Sequence, residues 1–440
     1  MARASRKRLA VDGGSPVRAE PFPPRMQIGE EEVAAVNAVM DRCRTEGGAF
    51  DRYGGIEVDA YEREFAAAYG VKFATAVSSG TAAIHTALGA LRLDVGQEVI
   101  SAPITDPGAV WPILWLNLIP VFADADPRTM NVSARSIEQR ITDRTKAVIV
   151  AHIAGQPCNM DAIMKVVEKH DLVLIEDCAQ AHGARYKGRP VGSFGHLAAF
   201  SLMSGKHTTS GGQGGMVLTN NEDLYWNAKR FADRGKPFNS DAGDNLFLGM
   251  NYRMTELQAA IGRVQLRKTE AIARRRRALV GKLRKAMVDL KGVRLAHQIS
   301  GVWSVYWFLL MHFEESLYRV DKATFVQALA AEGIPCEADY SRPYNSRNVI
   351  VNRRTYGRSG CPWTCPFYGR HIDYAGTIPN AHRAVAEHFV VYFHECWTDR
   401  EIADLVAALA KVESAYIKRS RRRQTGKRRQ ARAVRPARPG

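Results

Sequence analysis

Between residues 73 and 220 the apolar residues come in short, separated runs: FATAVSS (73–79), EVISAP (98–103), PVFADAD (120–126), KAVIVAHI (146–153), LVLIEDC (172–178), LAAFSLM (197–203) and GMVLTN (215–220). Runs such as AVIVAHI and LVLIED carry no polar face, which is what a strand covered by helices on both sides requires. Helical patterns fill many of the gaps. The alternation predicts an α/β unit with a mostly parallel seven-stranded sheet, whose ligands gather beyond the carboxyl ends of the strands. From Arg253 to about Leu290 the chain turns to Ala, Leu, Gln, Arg and Lys at helical spacing, and a long helix is expected there. Beyond it, VWSVYWFLLMHF (302–313) reads as a strand, KATFVQALAAEG (322–333) as a helix, and TDREIADLVAALAKV (398–412) as a closing helix. The expected organisation is an N-terminal arm (1–28), a large α/β domain (29–265), a smaller C-terminal α+β domain (266–416) and a tail (417–440). No internal repeat is visible.

Length and composition agree with this division. A chain of 440 residues, 46% hydrophobic and 24% charged, can bury the cores of two or three domains. The net charge of +17 changes the picture only locally, because Lys418 to Arg438 holds eleven Lys or Arg and no acid, leaving +6 (17 − 11) for the rest. So basic and apolar-poor a run cannot offset its ordering entropy, and it reads as a disordered appendage. It serves either solubility or weak, salt-sensitive contact with nucleic acid or anionic lipid; nothing else in the chain suggests nucleic acid. Seven scattered cysteines do not form a disulfide framework, which favours a reducing compartment. Cys361 and Cys365 lack a second ligand pair at metal spacing, so no metal is expected. The N-terminus is basic without an apolar core segment. The longest apolar stretch, Ala109 to Ala123, is broken by Pro112, Asn117 and Pro120 and is shorter than the roughly 20 residues that span a bilayer. A cytoplasmic protein away from membranes is the expectation.

Three segments carry chemistry. In Ser78-Ser79-Gly80-Thr81, a strand gives way to small hydroxyl residues and a glycine at the start of the helix-forming run AAIHTALGAL. Free N–H groups and the helix dipole make a phosphate seat there, unless the segment is only a Ser/Thr cap. In LVLIEDCAQAHGA, Asp177 ends a strand too apolar for a lone charge. It either caps the next helix or holds a cationic partner such as the protonated pyridinium of pyridoxal 5′-phosphate (PLP), with Gln180 able to donate to that cofactor's ring oxygen. In FSLMSGKHTTSGGQGG, Lys206 follows about thirty residues later in a loop dense with Ser, Thr and Gly. Partial burial beside a cation lowers a lysine's pKa and makes it a Schiff-base nucleophile. Ser201 would sit near the phosphate, and His207 points elsewhere as a structural neighbour.

These segments, with LGMNYRMTELQAAIGRVQLRK (248–268), closely resemble the DegT/DnrJ/StrS family of PLP-dependent sugar aminotransferases, from about Gly29 to Val412. The resemblance implies an aspartate-aminotransferase-like fold and a homodimer with shared active sites. It implies Lys206 as catalytic Schiff-base lysine, Asp177 as pyridinium partner and Gln180 as ring contact. Gly80, Thr81 and Ser201 are implied as phosphate ligands, with Asn251 reaching the phosphate from the neighbouring subunit. The implied reaction moves an amino group from glutamate or glutamine to a keto-sugar, nucleotide-linked or not, or to a keto-cyclitol. A PLP- or pyridoxamine-dependent sugar dehydratase, in which related proteins place His at the lysine position, is the alternative. A regulatory or nucleic-acid-binding protein on the same fold is a third reading. Three departures stand out: Thr105-Asp106 where an aromatic usually covers the cofactor ring, GGQGG (211–215) where a Glu is usual, and the tail. Trp111 is a candidate replacement for the ring, or a core residue. Loops at Asp51-Arg52-Tyr53, Asp106 and Tyr340 to Tyr344 would set the acceptor, and Arg52 and Arg342 could meet a diphosphate.

Overall fold

All seven apolar runs form one sheet. In the computed structural model, which describes residues 8–48, 50 and 55–418, they are β1 (Phe73–Val77), β2 (Glu98–Ser101), β3 (Ile119–Phe122), β4 (Thr145–Ala151), β5 (Val173–Asp177), β6 (Leu197–Ser201) and β7 (Gly215–Thr219). The order across the sheet is β1-β7-β6-β5-β4-β2-β3. Pairing is parallel from β6 through β5, β4 and β2 to β3, and only β7 runs against its neighbours. Successive residues of β6 and β7 face different cores: Ala199 and Val217 join one, and Ala198, Phe200, Met216 and Leu218 the other. That explains runs without a polar face: both sides are covered. The carboxyl ends of β1, β5 and β6 open on one edge, and there Ser78, Asp177 and Ser201 leave the sheet.

The expected long helix spans Glu256–Ala286, opened by a capping box in which Thr255 accepts from Gln258 and the Gln258 side chain turns back to Thr255. It crosses residue 265, with Ala259 and Ala273 buried against the large-sheet core and Leu279, Val280 and Leu283 in a C-terminal core. That second core lies on an antiparallel sheet of β8 (Val293–Leu295), β9 (Leu309–Phe313), β10 (Cys336–Glu337) and β11 (His388–Val391), ordered β8-β9-β11-β10. Helices Lys322–Ala331 and Asp399–Tyr416 cover it. The N-terminal arm is stitched to this unit by Arg18, which pairs with Glu401 at 3.1 Å and Asp404 at 2.7 Å.

The run 302–313 is not one strand. Val302–Trp303 pairs with Arg185–Tyr186, Leu309–Phe313 joins the C-terminal sheet, and between them Tyr306 adopts φ 51°. There Val305 and Trp307 donate their N–H groups to Gly155 and Ala154 at 3.0 and 3.1 Å instead of to a strand. Residues 340–384 leave the C-terminal sheet and pack on the large-sheet core through Tyr344, Trp363, Tyr368, Tyr374 and Ile378. Their phenols reach back to that unit, Tyr374 to Pro120 O at 2.7 Å and Tyr368 to Glu98 Oε1 at 2.9 Å. Cys361 and Cys365, weighed in the sequence only as half of a metal site, are joined as a disulfide in this excursion, their Cα atoms 5.3 Å apart as such a link requires. No helix among the described residues is long and apolar enough to cross a membrane. The basic tail beyond Lys418 and the loop at Asp51-Arg52-Tyr53 lie outside the described residues.

Candidate active site

Ser79 caps the helix Gly80–Ala90, its hydroxyl accepting from Ala82 N at 3.0 Å, so the cap reading of this segment is met by Ser79. Gly80 and Thr81 are left to present the helix N-terminus to a cavity. The approach to β6 is tight: a Cβ on Gly80 would lie 2.5 Å from Ser201 Cβ and 2.8 Å from its Oγ. Only glycine lets the helix end and the Ser201 hydroxyl share one small space, the form of a phosphate cradle.

Asp177 closes β5 at the same edge. It is buried, its Oδ1 accepts from Ala179 N at 3.0 Å, and among the described residues no cation pairs with it within salt-bridge distance. Burial raises its pKa, while that hydrogen bond and the Lys206 charge pull the other way. The next residue inward, Glu176, is fully buried and braces the edge from behind, accepting from Gly192, Phe194 and Gly195 N–H groups at 2.9, 2.7 and 2.7 Å. His152 Nδ1 accepts from Cys158 N at 3.1 Å, so its other nitrogen donates to Glu176 at 3.1 Å. His152, Glu176 and Cys178 cluster like metal ligands, but His152 and Glu176 already spend their ligand atoms on these hydrogen bonds.

Lys206 follows β6. It is only 7% exposed, so it is not a solvated surface charge. Burial lowers its pKa, with Asp177 and Asp106 acting in the opposite direction. Its Nζ stands 3.8 Å from the centroid of the Trp307 ring, a cation–π contact that holds the amine in place. Gln180 is oriented by two bonds: its Oε1 accepts from Ala154 N at 2.8 Å and its Nε2 donates to the Tyr340 hydroxyl at 2.5 Å. The donor end of Gln180 therefore faces Tyr340. His207 is fully buried and contacts Val305 O at 3.2 Å, a structural placement.

One cavity is lined by Gly80, Thr81, Asp106, Asp177, Gln180, Ser201 and Lys206. Asn251 does not line it; within this chain it is exposed and bridges to Asp233. Trp111 does not line it either and packs edge-on against Tyr344 at 5.8 Å. Asp106 itself takes the place beside Lys206, one oxygen tied to Gly108 N at 2.9 Å. A larger apolar cavity, about 540 Å³, borders the same helix through His85 and Leu88 but holds none of the expected site residues. The titratable groups converge in the first of these cavities, which marks it as the candidate site. Arg25, Gln27 and Trp307, which hold the backbone at Lys206, carried no readable signal in the sequence.

The sequence of residues 26–394 matches the model of the DegT/DnrJ/EryC1/StrS aminotransferase family. This chain belongs to that family. An L-glutamine:2-deoxy-scyllo-inosose aminotransferase of Streptomyces fradiae is 33% identical, covering 92% of this chain and 97% of its own. A GDP-perosamine synthase of Escherichia coli O157:H7 is 37% identical over 57% of this chain and 68% of its own. The crystal structure of an aminotransferase from Psychrobacter cryohalolentis superposes with a TM-score of 0.79 at 30% identity, covering 90% of this chain and 99% of that one. The protein is a PLP-dependent aminotransferase of the aspartate-aminotransferase-like fold.

The residues present fit the cofactor. A cradle closed by Gly80 and Ser201 suits a phosphate, a buried carboxylate without a cation suits a protonated ring nitrogen, and a buried amine of lowered pKa suits an aldehyde. The Asp106 departure from the family pattern leaves this set intact and alters the face beside it. Gly80→Ala is expected to weaken PLP binding by about 5- to 150-fold, since overpacking of this kind costs roughly 1–3 kcal/mol. Titration with PLP and with phosphate-free pyridoxal checks this: the loss should fall mainly on PLP.

Proposed function

We propose that this aminotransferase takes its amino group from glutamine or glutamate and delivers it to a polyhydroxylated ketone, a keto-cyclitol or a keto-sugar. The observation that carries the assignment is the meeting of Lys206, Asp177 and the Gly80–Ser201 cradle in one cavity. When bound, PLP supplies an aldehyde that exchanges the amino group and a ring that accepts the electron pair released at the substrate carbon. Gly80 and Thr81 at the helix N-terminus, with the Ser201 hydroxyl, hold the phosphate. Asp177 keeps the ring nitrogen protonated, and Gln180, its amide oriented by Ala154 and Tyr340, donates its second N–H to the ring oxygen. Lys206 Nζ, as a free amine of lowered pKa, takes the proton from the donor carbon and returns it on the other side of the exchange. A lysine at this position favours transamination over the dehydratase reading. The set of chemical groups favours an enzyme over a purely regulatory protein.

The inosose aminotransferase matches along nearly its whole length, whereas the perosamine synthase match covers 57% of this chain. That difference favours a cyclitol ketone. We take the protein to act as a homodimer in which Asn251, exposed in one chain, reaches the phosphate of its partner. The basic tail then lies apart from catalysis. The test offers amide-¹⁵N glutamine, α-¹⁵N glutamine and α-¹⁵N glutamate with a keto-inosose or a nucleotide-linked 4-keto-sugar. Label from the α-¹⁵N donors, and not from the amide, should appear in the cyclitol amine. Transfer to neither ketone would refute the acceptor class.

A further inference from the structure

β6 ends at Ser201, and the lysine loop that follows has left the sheet, so its carbonyls need donors from elsewhere. Among the described residues no backbone N–H donates to the carbonyls of Gly205, Lys206 or His207. Each receives a side chain from outside the loop. Trp307 Nε1 donates to Gly205 O at 2.9 Å. Arg25 Nη1 and Gln27 Nε2 donate to Lys206 O at 2.6 and 3.1 Å, and Arg25 Nη2 donates to His207 O at 2.8 Å. The peptide planes on both sides of Lys206 Cα are therefore pinned, and with them the direction of its Cα–Cβ bond.

Arg25 is itself held. Its Nε donates to Glu395 Oε1 at 2.8 Å, and the other carboxylate oxygen takes Nε of Arg276 at 2.8 Å. Arg276 is 1% exposed, and its Nη1 donates to the carbonyls of Tyr306 and Trp307 at 2.9 and 3.1 Å. The loop is thus tied to the arm, the long helix, the Trp307 turn and the end of the C-terminal sheet. Arg25 and Glu395 stand one residue outside each end of the family match, 26–394.

We propose that Arg25, oriented by Glu395, is a positioning residue that aims the Lys206 amine into the cavity. A guanidinium can serve two adjacent carbonyls and a carboxylate at once because its five N–H groups form a rigid planar fork, which a lysine ammonium cannot copy. The proposal rests on Lys206 being the cofactor-binding amine, and the experiment separates the two. The full-length protein, freed of cofactor, is mixed with PLP, trapped with borohydride at timed intervals and digested. The mass of the Lys206 peptide gives the rate of attachment, and hydrogen exchange of residues 203–208 is followed without cofactor.

Arg25→Ala should slow attachment at Lys206 about tenfold or more and speed exchange in this loop, as loss of two or three hydrogen bonds implies. Arg25→Lys should fall between, and ethylguanidinium added to Arg25→Ala should restore part of the rate. Gln27→Ala, which removes one donor and leaves the ion pair, gives the same signs in smaller measure if Arg25→Ala does not fold. Wild-type attachment and exchange in Arg25→Ala would overturn the proposal. Trapping on another lysine in Lys206→Ala protein would overturn the Lys206 reading instead, while the exchange result still judges Arg25.

Discussion

Lys206→Ala is expected to abolish the visible absorption band of lysine-bound PLP and to reduce transamination by at least about 10³-fold, since the proposed mechanism gives this residue both the attachment point and the general-base role. The fold should survive. Lys206 makes no side-chain ion pair within salt-bridge distance among the described residues, and its amine rests on the face of Trp307. Removing a buried amine also removes a desolvated charge, so thermal stability should be unchanged or slightly higher. PLP should still bind through the phosphate cradle, detectable as absorption of the free aldehyde. The wild-type protein also has a sign in pH. Condensation needs the neutral amine, and burial holds the Lys206 pKa below the usual lysine range. Attachment should therefore rise with pH and level off at a lower pH than an exposed lysine would allow. A variant that keeps the visible band would remove Lys206 from its role.

Asp177→Asn is expected to cost about 10²- to 10⁴-fold in turnover, with the lysine-bound cofactor still in place. The range follows from the roughly 3–5 kcal/mol lost when one partner of a buried ion pair is removed. Asparagine keeps the shape and the acceptor for Ala179 N but cannot hold a proton on the ring nitrogen. The substitution also has an effect through Lys206. The Asp177 charge raises the lysine pKa, so the Asn variant should show its attachment midpoint shifted to lower pH, opposite in direction to its loss of turnover. Stopped-flow half-reactions with glutamate, together with a pH series of cofactor attachment, measure both. Equal turnover in Asp177→Asn would mean that the carboxylate only caps its loop.

Much of this was legible before the structure because it is local. Each apolar run from 73 to 220 became a strand, since a run without a polar face has few other places to go. Gly80, Asp177 and Lys206 sit at strand-to-loop transitions, where short motifs fix geometry. What was not legible depends on long-range pairing. Nothing local in VWSVYWFLLMHF announces that Tyr306 turns to φ 51° and splits the run between two sheets. Nothing in residues 340–384 announces that Tyr368 and Tyr374 find acceptors on Glu98 and Pro120. The Cys361–Cys365 link was passed over because a pair four apart in a chain with five other cysteines carries no framework signal. Arg25, an arginine in the proline-flanked arm PFPPRMQIG, gave no sign of its contacts. Asn251 is the one expected cofactor ligand that the chain does not bring to the cavity by itself.

The most direct measurement is the absorption spectrum of the purified protein with PLP, recorded before and after adding L-glutamine or L-glutamate. The visible band of the lysine-bound cofactor should form, disappear with at least one donor, and return when the matching 2-oxo acid is added. A protein that forms no such band, or whose band ignores both donors, would contradict transamination at Lys206.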